Sequence, residues 1–370
     1  MQIAPFKLER YFAKYEFSTQ YLLCSSDCES MTVQDLLSLE PGAGDEFGSQ
    51  WLGYTESMGG GGLRQAICSI YETIQPQEVL VHTGAEEAIF LFMHALLQAG
   101  DHVVVHWPCY QSLIEVARSI GCEVSPWRAV EENAWGLDLN ELRALLRPNT
   151  KAIILNTPHN PTGYLMPKEQ FEAVSAIARQ HDAILFSDEV YRESEYEARD
   201  RLPAACDLGQ HTVSLGVTSK TYGLAGLRIG WIATHNRELY ERMAGLKDYT
   251  TICNSAPSEY LAELALRHRQ ELAARNLGII KSNLAVVAAF FARHADRFAW
   301  VAPRAGSMAF PRYLGESVDS FCDKLVREAG VLLLPGSMYD EHDNHFRLGL
   351  GRKNLPEAIT RLEDFLARTA

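Results

Sequence analysis

The sequence predicts an α/β architecture: a large domain with a mostly parallel sheet sandwiched by helices, plus a smaller α+β domain. Three observations lead there. Short apolar runs alternate with helix-period segments through most of the chain, as buried parallel strands joined by helices do. After Pro257 the pattern changes, and helical periodicity with only short strand-like pieces takes over. A chain of 370 residues is also long enough for two domains.

Taken in order, the start of the chain to about residue 45 reads as irregular. A short helix near Thr32 to Ser38 is broken by Pro41-Gly42-Ala43-Gly44. Glu78 to His82 is a strand, Thr83-Gly84 its turn, and Ala85 to Leu97 a helix. His102 to His106 is a strand closed by Trp107-Pro108, followed by a helix over Tyr110 to Ile120. Cys122 to Trp127 is a strand, and Asp138 caps a helix running to Leu146. Lys151 to Leu155 and Ala183 to Ser187 are strands on either side of a helix over Pro167 to Gln180. Thr212 to Val217 and Arg228 to Ala233 are the last strands of the large sheet. Pro257 to Arg293 is mostly helical, read as two helices meeting near Asn276-Leu277-Gly278. Strand-like pieces follow at Met308 to Tyr313, Val331 to Leu334 and His345 to Leu350. Amphipathic helices cover Val318 to Glu328 and Leu355 to Ala367. No internal repeat or low-complexity linker interrupts this order.

Composition narrows the function. Hydrophobic content of 47% and charged content of 22% are those of an ordinary soluble globular protein. The net charge of −13 argues against nucleic acid or an anionic membrane as the main partner. Neither a signal peptide nor a membrane span is read at the N-terminus, so a cytoplasmic protein is expected. The eight cysteines are scattered through apolar segments, as reduced and buried thiols are. Cys24 and Cys28 make half of a metal site at most, and no second pair stands at ligand spacing, so no metal is expected.

The chemistry centres on Ser219-Lys220-Thr221-Tyr222-Gly223-Leu224-Ala225-Gly226-Leu227-Arg228-Ile229-Gly230. A lysine is most often a surface charge. This one follows a buried strand, so it points into a cleft where desolvation lowers its pKa and makes it a nucleophile toward an aldehyde. Ser219 and Arg228 are residue types that hold a phosphate. The segment resembles the cofactor-lysine motif of class I/II aminotransferases, the fold type I enzymes of pyridoxal 5′-phosphate (PLP). In that family the lysine matching Lys220 carries PLP as a Schiff base.

Further segments match the family in order. Asn156-Thr157-Pro158-His159-Asn160-Pro161-Thr162-Gly163 ends a strand, where open α/β sheets bind ligands. It resembles the family's Asn-Pro-Thr-Gly motif, which implies that Asn160 donates to the pyridine 3′-oxygen. An Asp at a strand end is often only a cap, but Asp188 matches the carboxylate that keeps the pyridine nitrogen protonated, and Tyr191 the phenol on the 3′-oxygen. Glu189 is read as a loop support or a salt-bridge partner. Thr83 to Ala88 opens a helix directly after a strand, and free N–H groups there bind phosphate. The resemblance assigns the phosphate to Gly84, Ala85 and Glu86, with the Glu86 side chain turned away. Tyr110 matches the aromatic that stacks on the pyridine.

The four glycines Gly59 to Gly62 precede Leu63-Arg64 rather than the Lys-Ser/Thr of a nucleotide loop. The segment instead resembles the one whose tyrosine, here Tyr54, reaches the partner subunit's phosphate, which implies a homodimer with shared active sites. Arg347 matches the arginine that binds the substrate α-carboxylate. Val217 departs from the Ser or Thr that the family often has three residues before the lysine, so one phosphate hydrogen bond is expected to be absent or supplied by another group.

The resemblance implies residues 46–275 as the large PLP-binding domain and residues 1–45 with 276–370 as the small one. It implies transfer of an amino group from an L-amino acid to a 2-oxo acid, with C–S β-lyase and amino-acid cyclase or synthase chemistry as alternatives on the same fold. Phe17 to Met31 and Thr250 to Asn254 are expected to line the side-chain pocket. A PLP-binding regulator would need a DNA-binding domain, which the acidic charge disfavours, and a silent scaffold would not retain Lys220, Asp188, Tyr191 and Arg347 together.

Overall fold

A computed structural model of the chain describes residues 2–369. Seven strands form its main sheet: β1 (Val79–His82), β2 (His102–Trp107), β3 (Glu123–Arg128), β4 (Thr150–Asn156), β5 (Ile184–Asp188), β6 (Thr212–Val217) and β7 (Gly230–Ala233). Their spatial order is β1-β7-β6-β5-β4-β2-β3. β7 runs antiparallel to both of its neighbours, and every other pairing is parallel. The inner strands are rich in Val, Ile and Leu because both faces are covered, whereas the edge strand β3, Glu-Val-Ser-Pro-Trp-Arg, is partly exposed. Val103, Val105, Ile154 and Phe186 pack against Phe92 and Met93 of one flanking helix. Val104, Ile153 and Leu185, one residue out of phase, pack against Phe171 and Val174 of another.

The C-terminal region builds a second, antiparallel sheet of three short strands, with Phe346–Gly349 between Leu334–Pro335 and Met308–Ala309. Helices Val318–Ala329 and Leu355–Arg368 bury Leu325 and Leu362 against Phe346 and Leu348. The start of the chain lies on this sheet. Gly349 donates its N–H to Leu23 O at 2.9 Å. A Cβ at Gly349 would stand 2.1 Å from Ser25 O, so only glycine admits the passing backbone.

The fold corrects three expectations. First, the chain start is not irregular: Lys7–Tyr15 is a helix, α1, whose Leu8, Phe12 and Tyr15 pack into the core. Second, the late helices meet at His268, not near Asn276. They span Ala256–Arg267 and Arg269–Arg293. Gly278 lies inside the second of them with open space around its missing side chain, so it does not break the helix. Asn276 is turned inward and donates to Thr221 O at 2.8 Å, while Asn283 on the same helix donates to Leu350 O at 2.8 Å. One helix thus holds both the lysine loop and the C-terminal sheet. Third, the strand read over Met308 to Tyr313 is two pieces, Met308–Ala309 and Arg312–Tyr313, divided at Phe310-Pro311. No helix among the described residues is long and apolar enough to cross a membrane.

Candidate active site

Parallel strands end on one edge of their sheet, so the residues just beyond them converge. Asn156 ends β4, Asp188 ends β5, and Ser219 and Lys220 follow β6. A cavity of about 500 Å³ opens there. Its walls bring together Ala85, Glu86, Tyr110, Asn160, Asp188, Tyr191, Ser219, Lys220, Arg228 and Arg347 from across the chain. Gly84 lies directly behind Arg228. Tyr54 stays outside the cavity and is 85% exposed.

One end of the cavity is built for an anion. Helix α2 (Gly84–Leu96) starts there without a side-chain cap, which leaves its first N–H groups open. Gly84 has φ +78°, and a Cβ on it would stand 2.5 Å from the Arg228 guanidinium. Gly230 permits the same closeness from β7, since its Cβ would stand 2.9 Å from Ala85 N. Ser219 Oγ is buried beside this group and has no hydrogen-bond partner. Val217 also lines the cavity, with an apolar side chain where a hydroxyl was missed in the sequence.

At the centre, Lys220 Nζ donates to Ser26 Oγ at 3.0 Å. Burial lowers the Lys220 pKa, and Arg347 and Arg228 push the same way against Asp27 and Asp188. Asp188 is 5% exposed, and burial raises its carboxyl to about 7 despite the N–H of Val190 at 3.2 Å. The Tyr191 hydroxyl, on a residue 2% exposed, has no hydrogen-bond partner of good geometry. Glu189 takes the structural role expected of it, accepting from Ala205 N at 2.7 Å and Ser214 Oγ at 2.9 Å.

At the other end Arg347 is 1% exposed and paired with no carboxylate among the described residues. Nε donates to Cys24 O at 2.8 Å, and Nη1 to Tyr339 Oη at 2.6 Å and Asn160 Oδ1 at 3.3 Å. Nη2 is left for a ligand. Tyr339 passes its own proton to Asn160 Oδ1 at 3.1 Å. Two donors at Oδ1 turn the Asn160 amide N–H₂ the other way. Tyr339→Phe removes this orienting bond together with the charge-assisted one from Arg347, and is expected to lower kcat/KM by roughly 10- to 100-fold, with KM carrying most of the change. Steady-state kinetics on the variant check it.

Three readings need correction. The Glu86 side chain does not turn away; it lines the cavity, because its place in the first turn of α2 faces Tyr110 and Ser112. Of Phe17 to Met31, only Ser25, Ser26 and Asp27 reach the cavity. Thr250 to Asn254 does not line it within this chain, and Thr251 instead donates to Glu87 at 2.7 Å. The sequence gives no reading of Glu9, Phe12, Glu16 or Tyr339, which the structure brings to the site. For the first three a signal existed, since Leu8, Tyr11, Phe12 and Tyr15 recur at helical spacing.

The residues fit PLP. An anion seat, an acid whose ionisation a ring cation would relieve, two buried hydroxyls without partners and an amine of lowered pKa lie around one cavity. Comparison with known proteins agrees: residues 18–362 match the family described as aminotransferase class I and II. The chain belongs to that family. This class I and II aminotransferase-family protein is 30% identical over 369 residues to capreomycidine synthase of Streptomyces vinaceus, covering 98% of this chain and 92% of that one. It is 28% identical to an arginine–pyruvate transaminase of Pseudomonas aeruginosa, covering 84% and 81%. A PLP-dependent aminotransferase from Streptococcus suis shares its structure with a TM-score of 0.94 at 31% identity, covering 100% and 99%. The PLP-dependent cyclase OrfR does so with a TM-score of 0.91 at 31% identity, also covering 100% and 99%. The protein is an enzyme of this family, its cofactor is pyridoxal 5′-phosphate, and its fold is type I.

Proposed function

We propose that the enzyme moves an amino group from an L-amino acid to a 2-oxo acid. Arg347 carries the reading: a fully buried guanidinium with no carboxylate partner and a free Nη2 needs an anion, and it faces the cavity of Lys220. In this reading Arg347 binds the α-carboxylate of donor and acceptor alike. PLP, when bound, supplies an electron sink for negative charge at the substrate Cα. Lys220 would anchor the cofactor aldehyde and, once displaced by the substrate amine, would move the Cα proton as general base and then general acid. Asp188 sets its charge against the ring nitrogen. Asn160 and Tyr191 would donate toward the 3′-oxygen, and Tyr110 would hold the ring from one side. The N–H groups of Gly84, Ala85 and Glu86 hold the phosphate with Ser219 and Arg228.

Tyr54, with the exposed Trp51 and Leu52 beside it, supports a homodimer in which this tyrosine completes the partner's phosphate site. On that reading the chain divides into a large domain, 46–275, and a small one from 1–45 and 276–370. Eight free cysteines support a cytoplasmic setting.

Amino-group transfer is tested with ¹⁵N-labelled L-amino acids and pyruvate. Labelled alanine together with the 2-oxo acid of the donor is the expected result. The full-length likeness to a synthase and a cyclase favours one rival, in which the amino acid loses a β-substituent or closes a ring. With no labelled alanine, ¹⁵N-ammonia released beside a 2-oxo acid would replace transfer by β-elimination, and a cyclic product that keeps its ¹⁵N would replace it by ring closure.

A further inference from the structure

The cavity holds more negative charge than the proposed roles use, and the excess stands on one wall. Arg228 and Arg347 are assigned to the phosphate and the carboxylate, and Asp188 to the ring nitrogen. Asp27 is already paired with Arg352 at 2.9 Å. Three lining carboxylates remain, Glu9 and Glu16 from α1 and its C-terminal cap, and Glu86 from α2. No lysine or arginine is paired with any of them among the described residues. The Tyr110 hydroxyl is the one neutral donor near Glu9, at 3.4 Å.

The carboxylates of α1 are held in place. Lys7 pairs with Asp340, Tyr11 donates to Leu333 O at 2.9 Å, and Tyr15 donates to Asp323 at 3.2 Å. Glu9 and Glu16 are seven residues apart, two turns, so both face the cavity about 10 Å from each other along the axis. Phe12 lies between them with its ring 5.8 Å from the Arg347 guanidinium. The carboxylate seat is therefore beside the middle of α1, and a side chain leaving that seat runs along the acidic wall. Burial and the charges of Asp27 and Glu9 raise the Glu16 pKa, and Arg352 and Lys220 offset this only in part. The unpartnered Tyr191 hydroxyl, 2% exposed and assigned above to the cofactor, marks the same cavity as one that holds a ligand.

We infer that the substrate has a cationic side chain, a guanidinium or an ammonium, received by Glu9 and Glu16 of the helix that covers the cavity. This rests on the amino-acid reading above. A neutral side chain would leave the half-buried Glu16 without a counter-charge, and an acidic one would add to the repulsion from Glu9 and Glu16.

The test uses full-length holoenzyme and two pairs of matched amino acids, L-arginine with L-citrulline and L-lysine with L-norleucine. Arginine or lysine is expected to exceed its neutral partner by about 100-fold in kcat/KM, and the pair that shows the gap names the cation. Glu9→Gln with Glu16→Gln should narrow the gap to about tenfold or less, mainly through KM of the cationic substrate. Equal rates within both pairs in the wild type would overturn the inference. So would a gap that survives the double substitution in protein whose melting temperature is unchanged. Exchange of the Cα hydrogen with deuterated solvent separates the two claims. Exchange of norleucine without arginine or lysine sinks the side-chain inference alone, whereas exchange of no amino acid sinks the amino-acid reading itself.

Discussion

Lys220→Ala is expected to lower turnover by roughly 10⁴-fold, the upper range for loss of a positioned proton-transfer group, with the covalent anchor lost as well. PLP should still bind, because the anion seat at α2, Ser219 and Arg228 does not involve the amine. Borohydride reduction followed by mass spectrometry separates the two effects. Wild-type protein should gain a pyridoxyl phosphate on the peptide containing Lys220, and the variant should gain none and release PLP on dialysis. Turnover within tenfold of wild type, or labelling of another lysine, would remove Lys220 from the proposed mechanism.

Asp188→Asn should act in opposite directions on function and on fold. In the holoenzyme it removes the buried charge set against the ring nitrogen, and kcat should fall by about 10²–10³-fold, the loss of one partner of a buried pair. In protein stripped of PLP the sign reverses. The Asp188 carboxyl lies at about 7 in the fold, above its unfolded value, because burial disfavours its charge. A folded pKa raised in this way gives a contribution fully present at acid pH and lost as pH rises through about 7. Cofactor-free wild type should therefore lose stability, on the order of 4 kcal/mol, between about pH 4 and pH 8 from this group. The asparagine variant lacks that slope, so its melting temperature at pH 8 should exceed that of cofactor-free wild type. Equal pH slopes for the two proteins would show that Asp188 is not held against its ionisation.

Lys220, Asp188 and Asn160 could be read from sequence because each stands within a few residues of a buried strand. A parallel strand is an unbroken apolar run, and its polar C-terminal neighbour is displayed at the sheet edge by the strand itself. The order of motifs along the chain therefore carried the fold class and the centre of the site. Boundaries failed where local pattern was weaker than packing. Asn276 and Gly278 look like a break, yet Asn276 donates to Thr221 O and Gly278 faces open space, so the helix continues through both.

The amino-acid sequence by itself determined the alternating sheet and the placing of Lys220 and its neighbours at the sheet edge, since these depend on contacts within one strand–loop–helix step. The tertiary structure alone decided the rest of the site. Tyr339 orients Arg347 and Asn160 from 179 residues beyond the latter, and Ser26 reaches Lys220 across 194. Glu9 and Glu16 enter the cavity only because α1 is tied down at Asp340, Leu333 and Asp323. Each of these positions is set by burial of an apolar face elsewhere on its element. That burial is a property of the packed chain and leaves no mark beside the residue that does the chemistry.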